Sequence, residues 1–543
     1  MEQSISNINL SIIISEIFKQ NKIQNICICP GSRNTPLNNV FIKDIFFNCS
    51  THIDERSAAF FSLGITKSSL KPTVIITTSG TAVANLMPAI IESDLSTNPL
   101  IILTADRPKR LLNTGANQAI NQKKIFNSFV RGAIHIENMK LKSLKKIQSD
   151  IQNLINKSIG IENQLPPGPI HINIGFDEPL LDKKEPINFK HTIKKQNSTI
   201  NKKLIIQKYK KPLIICGPLS TDINSKQIIK LSKQLNSPIF AESTSQMRYL
   251  KKHKHIFSYY DFYINKLDIQ PDCIIRFGKK PISKKLNSFL ENFKNKIILI
   301  SKYSNYNDDA KFIYHDIDEN KINIKPNKAW FNKIYQAELS TKKHINKYIE
   351  KNIFFEGNII FSCVSKLKNN DNLFIGNSLP IRNLNKYYPN TNQKINIYCN
   401  RGASGIDGII STALGISYQS KKQRNVLIIG DVSFFYDFSS LLLAKKYSLN
   451  LTIIIINNNG GQIFSTLPYK NEINLDPYWT TPVDLDINNI TKLYSMNYYR
   501  LQTIKNINNK LDNIINKPGA NIVEIPCNFS KTSKVEKEIK SKL

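Results

Sequence analysis

An acid placed directly after one apolar strand, and a run of carboxamides and glycines directly after the next, would bring hard oxygen ligands to one rim. This pattern occurs at Gly430-Asp431 after VLII and at Asn457-Asn458-Asn459-Gly460-Gly461 after LTIIII. Asp and Asn oxygens with a backbone carbonyl suit a cation such as Mg2+, which keeps oxygen ligands and bridges phosphate oxygens. Glycines let the backbone approach a diphosphate closely. Residues 433–456 leave room for one helix and a return strand, so the two motifs fall on neighbouring parallel strands. A lone GD or NNG would be an ordinary strand-end turn; the spacing and the strand context together point to a metal-bound diphosphate.

The elements that must carry these residues recur along the chain. Short apolar, β-branched runs are each followed by Gly, Ser, Asp or Asn and then a helical pattern. They are Ile26–Cys29, Thr73–Thr77, Leu100–Thr104, Ile170–Ile174, Leu213–Cys216, Cys273–Phe277, Leu373–Ile375, Val426–Ile429 and Leu451–Ile456. Continuous apolar strands alternating with helices predict parallel sheets covered on both faces. Ligands of such sheets sit beyond the carboxyl ends of the strands, so the residues just after each run are the ones to examine. Two polar, lysine-rich stretches, about Asp182 to Lys211 and about Asn320 to Asn352, read as linkers, too poor in apolar surface to hold a core. The expectation is three doubly wound α/β domains, 1–185, 186–345 and 346–543. The last stretch, KTSKVEKEIKSKL, reads as a solvated helix or tail.

Composition excludes several classes. With 543 residues and 41% hydrophobic content there is ample material for sizeable cores. No run of 18 or more apolar residues suits a membrane span, and MEQSISNINL lacks the order of a signal peptide, reading instead as the start of an amphipathic helix through Leu10, Ile13, Ile14 and Ile17. The eight cysteines are scattered without a CxxC pair and read as buried free thiols; the HKH at 253–255 reads as surface. The net charge of +34 invites a nucleic-acid reading. However, the lysines are spread along the whole chain and accompany excess Asn, Ile, Tyr and Phe, all encoded by A/T-rich codons. No specific nucleic acid and no membrane insertion are expected.

GD followed by NN at this spacing resembles the thiamine diphosphate motif, with Val432 in place of its usual second glycine. Thiamine enzymes also need a carboxylic acid on the cofactor's aminopyrimidine ring, enclosed and able to hold a proton, so that the cofactor can deprotonate its own thiazolium carbon. Glu55 in STHIDERSAAFFSLG, flanked by apolar sequence, is the candidate.

The resemblance then narrows. CPGSRNTPL at 29–37, DERSAAF at 54–60, TSGTAVANLMPA at 78–89, TADRP at 104–108 and GANQAINQ at 115–122 are similar to one thiamine family. So are GNSLPIR at 376–382, NRGASGIDG at 400–408, GDVSFFYD at 430–437 and NNNGGQIFSTLP at 457–468; in the middle only IIRFGKKPISKKL at 274–286 is similar. The family is 2-succinyl-5-enolpyruvyl-6-hydroxy-3-cyclohexene-1-carboxylate synthase, whose GD motif commonly has a large apolar third residue. The resemblance implies the thiamine diphosphate-binding fold and a cofactor held through Mg2+ or Mn2+. It implies decarboxylation of 2-oxoglutarate and conjugate addition of the succinyl unit to isochorismate, in menaquinone or phylloquinone biosynthesis. Ser32, Arg33, Arg107 and Gln118 would hold isochorismate, with Lys284 and Lys285 helping. Ser378, Arg382 and Arg401 would hold the succinyl carboxylate. Asp431, Asn458 and the Gly460 carbonyl would hold the metal, with Gly461 beside them. Ile406, Ile463 and Phe464 would shape the cofactor and cover the reacting centre. A homodimer or dimer of dimers is implied, Glu55 and the metal site belonging to different subunits, in cytoplasm or plastid stroma.

Two other readings stand beside it. One is another thiamine-dependent 2-oxoacid decarboxylase or carboligase, against which a small neutral acceptor would not need so many guanidinium groups. The other is an inactive scaffold or polyanion binder, against which Glu55, Asp431 and Asn458 are all present.

Overall fold

The computed structural model describes residues 5–137, 143–161, 165–181, 202–206, 209–318, 322 and 327–543. Three six-stranded sheets account for almost all its strands, and every pairing among the described residues is parallel. The first sheet holds β1 (Asn25–Ile28), β2 (Asn48–Thr51), β3 (Thr73–Thr77), β4 (Leu100–Asp106), β5 (Ala133–Ile136) and β6 (Ile170–Gly175), ordered β2-β1-β3-β4-β6-β5. After the short β7 (Lys203–Leu204), the central sheet holds β8 (Pro212–Cys216), β9 (Ile239–Ala241), β10 (Ile256–Phe257), β11 (Cys273–Phe277), β12 (Ile297–Ile300) and β13 (Phe312–Tyr314), ordered β10-β9-β8-β11-β12-β13; β14 (Asp316–Ile317) pairs with β7. The third holds β15 (Asn372–Ile375), β16 (Asn396–Tyr398), β17 (Asn425–Gly430), β18 (Leu451–Asn457), β19 (Asn497–Arg500) and β20 (Ala520–Pro526), ordered β16-β15-β17-β18-β20-β19.

The strands read as continuous apolar runs because both faces are covered. Every residue of β3 and β4 is buried, as are Asn425–Ile429 of β17 and Leu451–Ile456 of β18. The first and third sheets have the same order when each is counted from its own first strand. In both, the connections leave the first strand in opposite directions, opening a crevice between the ends of β1 and β3, and of β15 and β17. Asp431, immediately after β17, stands at the second crevice.

The described chain forms two compact units: one around the first sheet that also takes in Asn400–Ser420, the other around the central and third sheets. Within the first unit, helix Ile409–Gln419 lies against helix Glu55–Ser69 with backbones nearly touching. A Cβ added to Gly64 would sit 2.0 Å from the Thr412 carbonyl oxygen, and one added to Gly415 would sit 2.0 Å from that of Phe61.

Three expectations change. The stretch 320–352, expected to be a linker, contains a 23-residue helix, Lys328–Glu350. From Phe331 its buried residues, Ile334, Glu338, Thr341, Ile345 and Tyr348, recur at intervals of three and four, with Trp330 buried beside the first, while its lysines fall between them. A single stripe at that period suffices to dock a helix, since each large apolar side chain fully buried contributes about 1.5–3 kcal/mol. The intervening lysines and asparagines concealed the stripe. The other expected linker, Asp182 to Lys211, lies largely outside the described residues, but its Leu204 and Ile206 are buried in the core. In HKH, His255 is buried and bonded to Ser232, and burial pushes its imidazole down to about 4. None of the eight cysteines is in a disulfide among the described residues; six are buried as expected, while Cys49 and Cys399 are half-buried. No described helix is long and apolar enough to cross a membrane.

Candidate active site

At the rim of the third sheet, Asp431 is 5% exposed and forms no ion pair among the described residues. Its Oδ2 accepts the Gly460 N–H at 2.6 Å and its Oδ1 accepts the Val432 N–H at 2.9 Å. Burial pushes its carboxyl above the usual range, against the pull of those N–H groups. A buried carboxylate that meets only backbone dipoles is short of positive charge, which a divalent cation would supply.

The carboxamides after β18 alternate in direction, as successive residues of an extended chain must. Asn457 donates to Glu524 at 2.8 Å, and with Asn459 it lines a cavity of about 490 Å³ beside Pro526, Cys527 and Lys531. Asn458 points elsewhere: its Nδ2 donates to Glu356 Oε1 at 2.8 Å, and its Oδ1 accepts from no described residue. Gly460 has φ of 112°, and a Cβ there would sit 2.3 Å from the Thr480 carbonyl oxygen, so the turn demands glycine. Its carbonyl accepts the Gln462 N–H and keeps a second lone pair. One carboxylate, one amide oxygen and one peptide oxygen thus fit a hard cation. Among the described residues no cluster of three or more His, Cys, Asp or Glu is placed to hold a metal, so a cation at this rim would need amide and peptide oxygens beside Asp431. Gly461 donates to Thr480, and Ile463 and Phe464 follow in the short turn Gln462–Thr466, half-buried and exposed respectively.

Across the crevice, Ser378 follows β15 with φ of 68° and occupies the N-cap position of helix Leu379–Tyr387 without a side-chain capping bond. Arg382 on that helix returns to donate to the Ser378 carbonyl at 2.7 Å. The structure brings these two together.

The rim of the first sheet is cationic. Arg33 is 4% exposed; it donates to the Phe176 carbonyl at 3.2 Å and to the exposed Glu178 at 3.4 Å. Arg107, just after β4, donates to the Asn117 carbonyl at 3.0 Å. Burial and the adjacent Arg33 charge hold its guanidinium below the usual range. Ser32 is exposed beside Arg33. Gln118 has φ of 53° and is exposed, and its Cα crowds Gly80 in the loop after β3. Gln122 fixes that loop from below, accepting the Gly80 N–H at 2.9 Å and donating to Asn173 at 2.9 Å. Four predicted residues, Ser32, Arg33, Arg107 and Gln118, therefore occupy loops that follow the strands of one rim.

Glu55 is the first residue of helix Glu55–Ser69. Capping belongs to Asp54, which accepts the Ser57 N–H, so Glu55 is left to accept a hydrogen bond from Asn85 at 3.2 Å. It is half-buried in the single chain, whereas the role expected of it asks for an enclosed carboxyl. Arg401 and Ile406 belong to the same unit as Glu55, in the loop before helix Ile409–Gln419, and both are half-buried. Lys284 and Lys285 begin helix Lys284–Asn292, after β11; Lys284 is exposed, and Lys285 donates to the Asp261 carbonyl at 2.8 Å.

Sequence reasoning missed two buried acids. Glu92, 2% exposed, accepts the backbone N–H groups of Gly402, Ala403 and Ser404 at 2.9, 2.7 and 3.2 Å and so fixes the loop of Arg401. Glu356, 1% exposed, is pushed up to about 7, chiefly by burial; the Glu536 and Asp431 charges add to this, and hydrogen bonds from Asn458 and Asn383 oppose it. Both stand beside apolar residues, in AIIESDL and FFEGNII, as Glu55 does in STHIDERSAAFFSLG.

The chain was compared with known proteins. Residues 8–125 match the thiamine pyrophosphate enzyme N-terminal binding domain, 180–375 the middle domain, and 382–525 the C-terminal binding domain. A 2-succinyl-5-enolpyruvyl-6-hydroxy-3-cyclohexene-1-carboxylate synthase of Bacillus pumilus is 35% identical over 94% of this chain and 92% of its own length. That of Listeria innocua is 32% identical over 96% and 94%, and that of Bacillus cytotoxicus 30% over 98% and 96%. The matches run through both rims and the central sheet, so the chain belongs to the 2-succinyl-5-enolpyruvyl-6-hydroxy-3-cyclohexene-1-carboxylate synthase family of thiamine diphosphate enzymes.

Proposed function

We infer that the chain is a transferase that decarboxylates 2-oxoglutarate and adds the remaining succinyl unit to the ring alkene of isochorismate, a step of menaquinone biosynthesis. The observation that carries this beyond generic thiamine chemistry is the pairing of Arg33 and Arg107 at one partly buried rim. Two neighbouring guanidinium groups, the charge of Arg33 acting against that of Arg107, are stabilised by an incoming dianion.

Thiamine diphosphate, when bound, supplies the electron sink that lets the 2-oxoacid lose CO2 and makes the remaining carbon unit nucleophilic. Asp431, the Asn458 amide oxygen and the Gly460 carbonyl hold Mg2+ or Mn2+ and through it the diphosphate, with Gly461 leaving room for it. Ile406, Ile463 and Phe464 shape the cofactor site and exclude water. Glu55 holds a proton at the aminopyrimidine nitrogen. A second copy of the chain, in a homodimer or dimer of dimers, would provide the enclosure that Glu55 lacks in one chain. Ser378, Arg382 and Arg401 bind the carboxylate of the succinyl unit. Ser32, Arg33, Arg107 and Gln118 orient isochorismate, and Lys284 and Lys285 add positive charge. The domains are read as 1–185, 186–345 and 346–543. Eight free thiols suit a reducing compartment such as cytoplasm.

Incubation with 2-oxoglutarate, isochorismate, thiamine diphosphate and Mg2+ should consume both substrates and release CO2. Turnover of pyruvate with isochorismate untouched would refute this function.

A further inference from the structure

Glu356 is buried behind the third-sheet crevice and hydrogen-bonds an element on each side of it. Its Oε1 accepts Asn458 Nδ2 at 2.8 Å and its Oε2 accepts Asn383 Nδ2 at 2.9 Å. Asn458 belongs to the metal motif after β18, and Asn383 follows Arg382 on helix Leu379–Tyr387. Both carboxylate oxygens are engaged by N–H donors, so the contacts need no proton on Glu356.

The acid is itself held rigidly. Glu356 donates its backbone N–H to Thr532 Oγ1 at 3.2 Å, and it opens helix Glu356–Val364. Next to it, Gly357 is packed so closely that a Cβ would lie 2.5 Å from the rings of Phe355 and Tyr387. A carboxamide is symmetric in shape but not in chemistry: turned over, it would offer NH2 instead of oxygen to a cation.

We propose that Glu356 is the positioning residue of the metal site: by accepting the Asn458 NH2 group it fixes that amide so that the carboxamide oxygen faces the cation. Through Asn383, the same carboxylate ties the orientation of the metal ligand to the helix that carries Arg382. This rests on the reading of Asn458 as a metal ligand. Partners of this kind typically contribute about 10–100-fold to metal affinity.

The test is a calorimetric titration of the full chain with Mg2+ at fixed thiamine diphosphate, for Glu356→Gln, Asn458→Asp, the double swap of both, and Asn458→Ala. The unfolding temperature of each cofactor-free variant is recorded alongside. Glu356→Gln should weaken the apparent Mg2+ constant about 10–100-fold, because the new amide offers an N–H toward Asn458 as readily as an oxygen. Asn458→Asp alone should weaken it too, by setting two carboxylates face to face. The double swap reverses the hydrogen bond, the glutamine donating to the aspartate, and should return affinity to within a few-fold of the parent. A purely structural role would lower the unfolding temperature of the swap as much as that of Glu356→Gln and restore no affinity. Parental Mg2+ affinity in Glu356→Gln, or a swap as weak as the single variants, overturns the proposal. Unchanged Mg2+ affinity in Asn458→Ala instead overturns the ligand assignment beneath it.

Discussion

The first and third sheets share a strand order and open a crevice at the same place, but they load it with different chemistry. The third rim offers oxygen at Asp431, the Asn458 amide and the Gly460 peptide group, with glycine where the backbone must turn and one guanidinium, Arg382, across the crevice. The first rim offers cations and hydrogen-bond donors: Arg33 and Arg107, with Ser32 and Gln118 around them. Parallel topology gathers the loops after the first, third and fourth strands of each sheet at one rim, and the loop sequences decide what they carry. The central sheet, ordered differently, carries neither set.

Substitutions can test this division. Asp431→Ala should have the largest effect, lowering affinity for thiamine diphosphate with Mg2+ by more than the ~100-fold that loss of an outer partner can cost. Equilibrium binding checks it, and unchanged affinity would remove the metal assignment. Glu55→Gln should do the reverse, lowering kcat by about 10²–10⁴-fold while cofactor affinity stays close to the parent's. Near-normal turnover in that variant would end the role given to Glu55.

Substrate selectivity should divide between the rims. Arg107→Ala should raise KM for isochorismate about 10–100-fold, the equivalent of one charged hydrogen bond, with KM for 2-oxoglutarate little changed. Arg382→Ala should show the converse at about 10-fold. Equal effects of both variants on both substrates would dissolve the distinction.

The smallest effect belongs to the central sheet, and it concerns stability. Glu338 accepts the N–H groups of Ser258 and Tyr259 and the hydroxyl of Tyr263, and burial pushes its carboxyl up to about 7 from an ordinary 4.5. The folded chain then holds this proton more tightly than the unfolded chain. Its contribution to stability is present below about 4.5 and is lost as pH rises through about 7. Glu338→Gln should flatten the fall in unfolding temperature across that window; an identical pH slope in both proteins would contradict it.

Much of the fold was legible along the chain. Unbroken apolar runs such as Leu213–Cys216 and Val426–Ile429 fall within β8 and β17, because strands buried on both faces carry their signal residue by residue. Helix Lys328–Glu350 was not legible by the same measure, because its signal is a stripe among lysines.

The sequence by itself determined the chemistry available after each strand: a carboxylate at Asp431, carboxamides and glycines at Asn457–Gly461, and arginines at Arg33, Arg107, Arg382 and Arg401. Only the tertiary structure shows which acid each carboxamide meets. Asn457 and Asn458 are indistinguishable as letters, and alternation along an extended backbone turns them to opposite sides. The acids that meet them, Glu524 and Glu356, lie 67 and 102 residues away in sequence. Hydrogen bonds reach about 3 Å, so an orientation imposed by such distant partners exists only once the chain has folded.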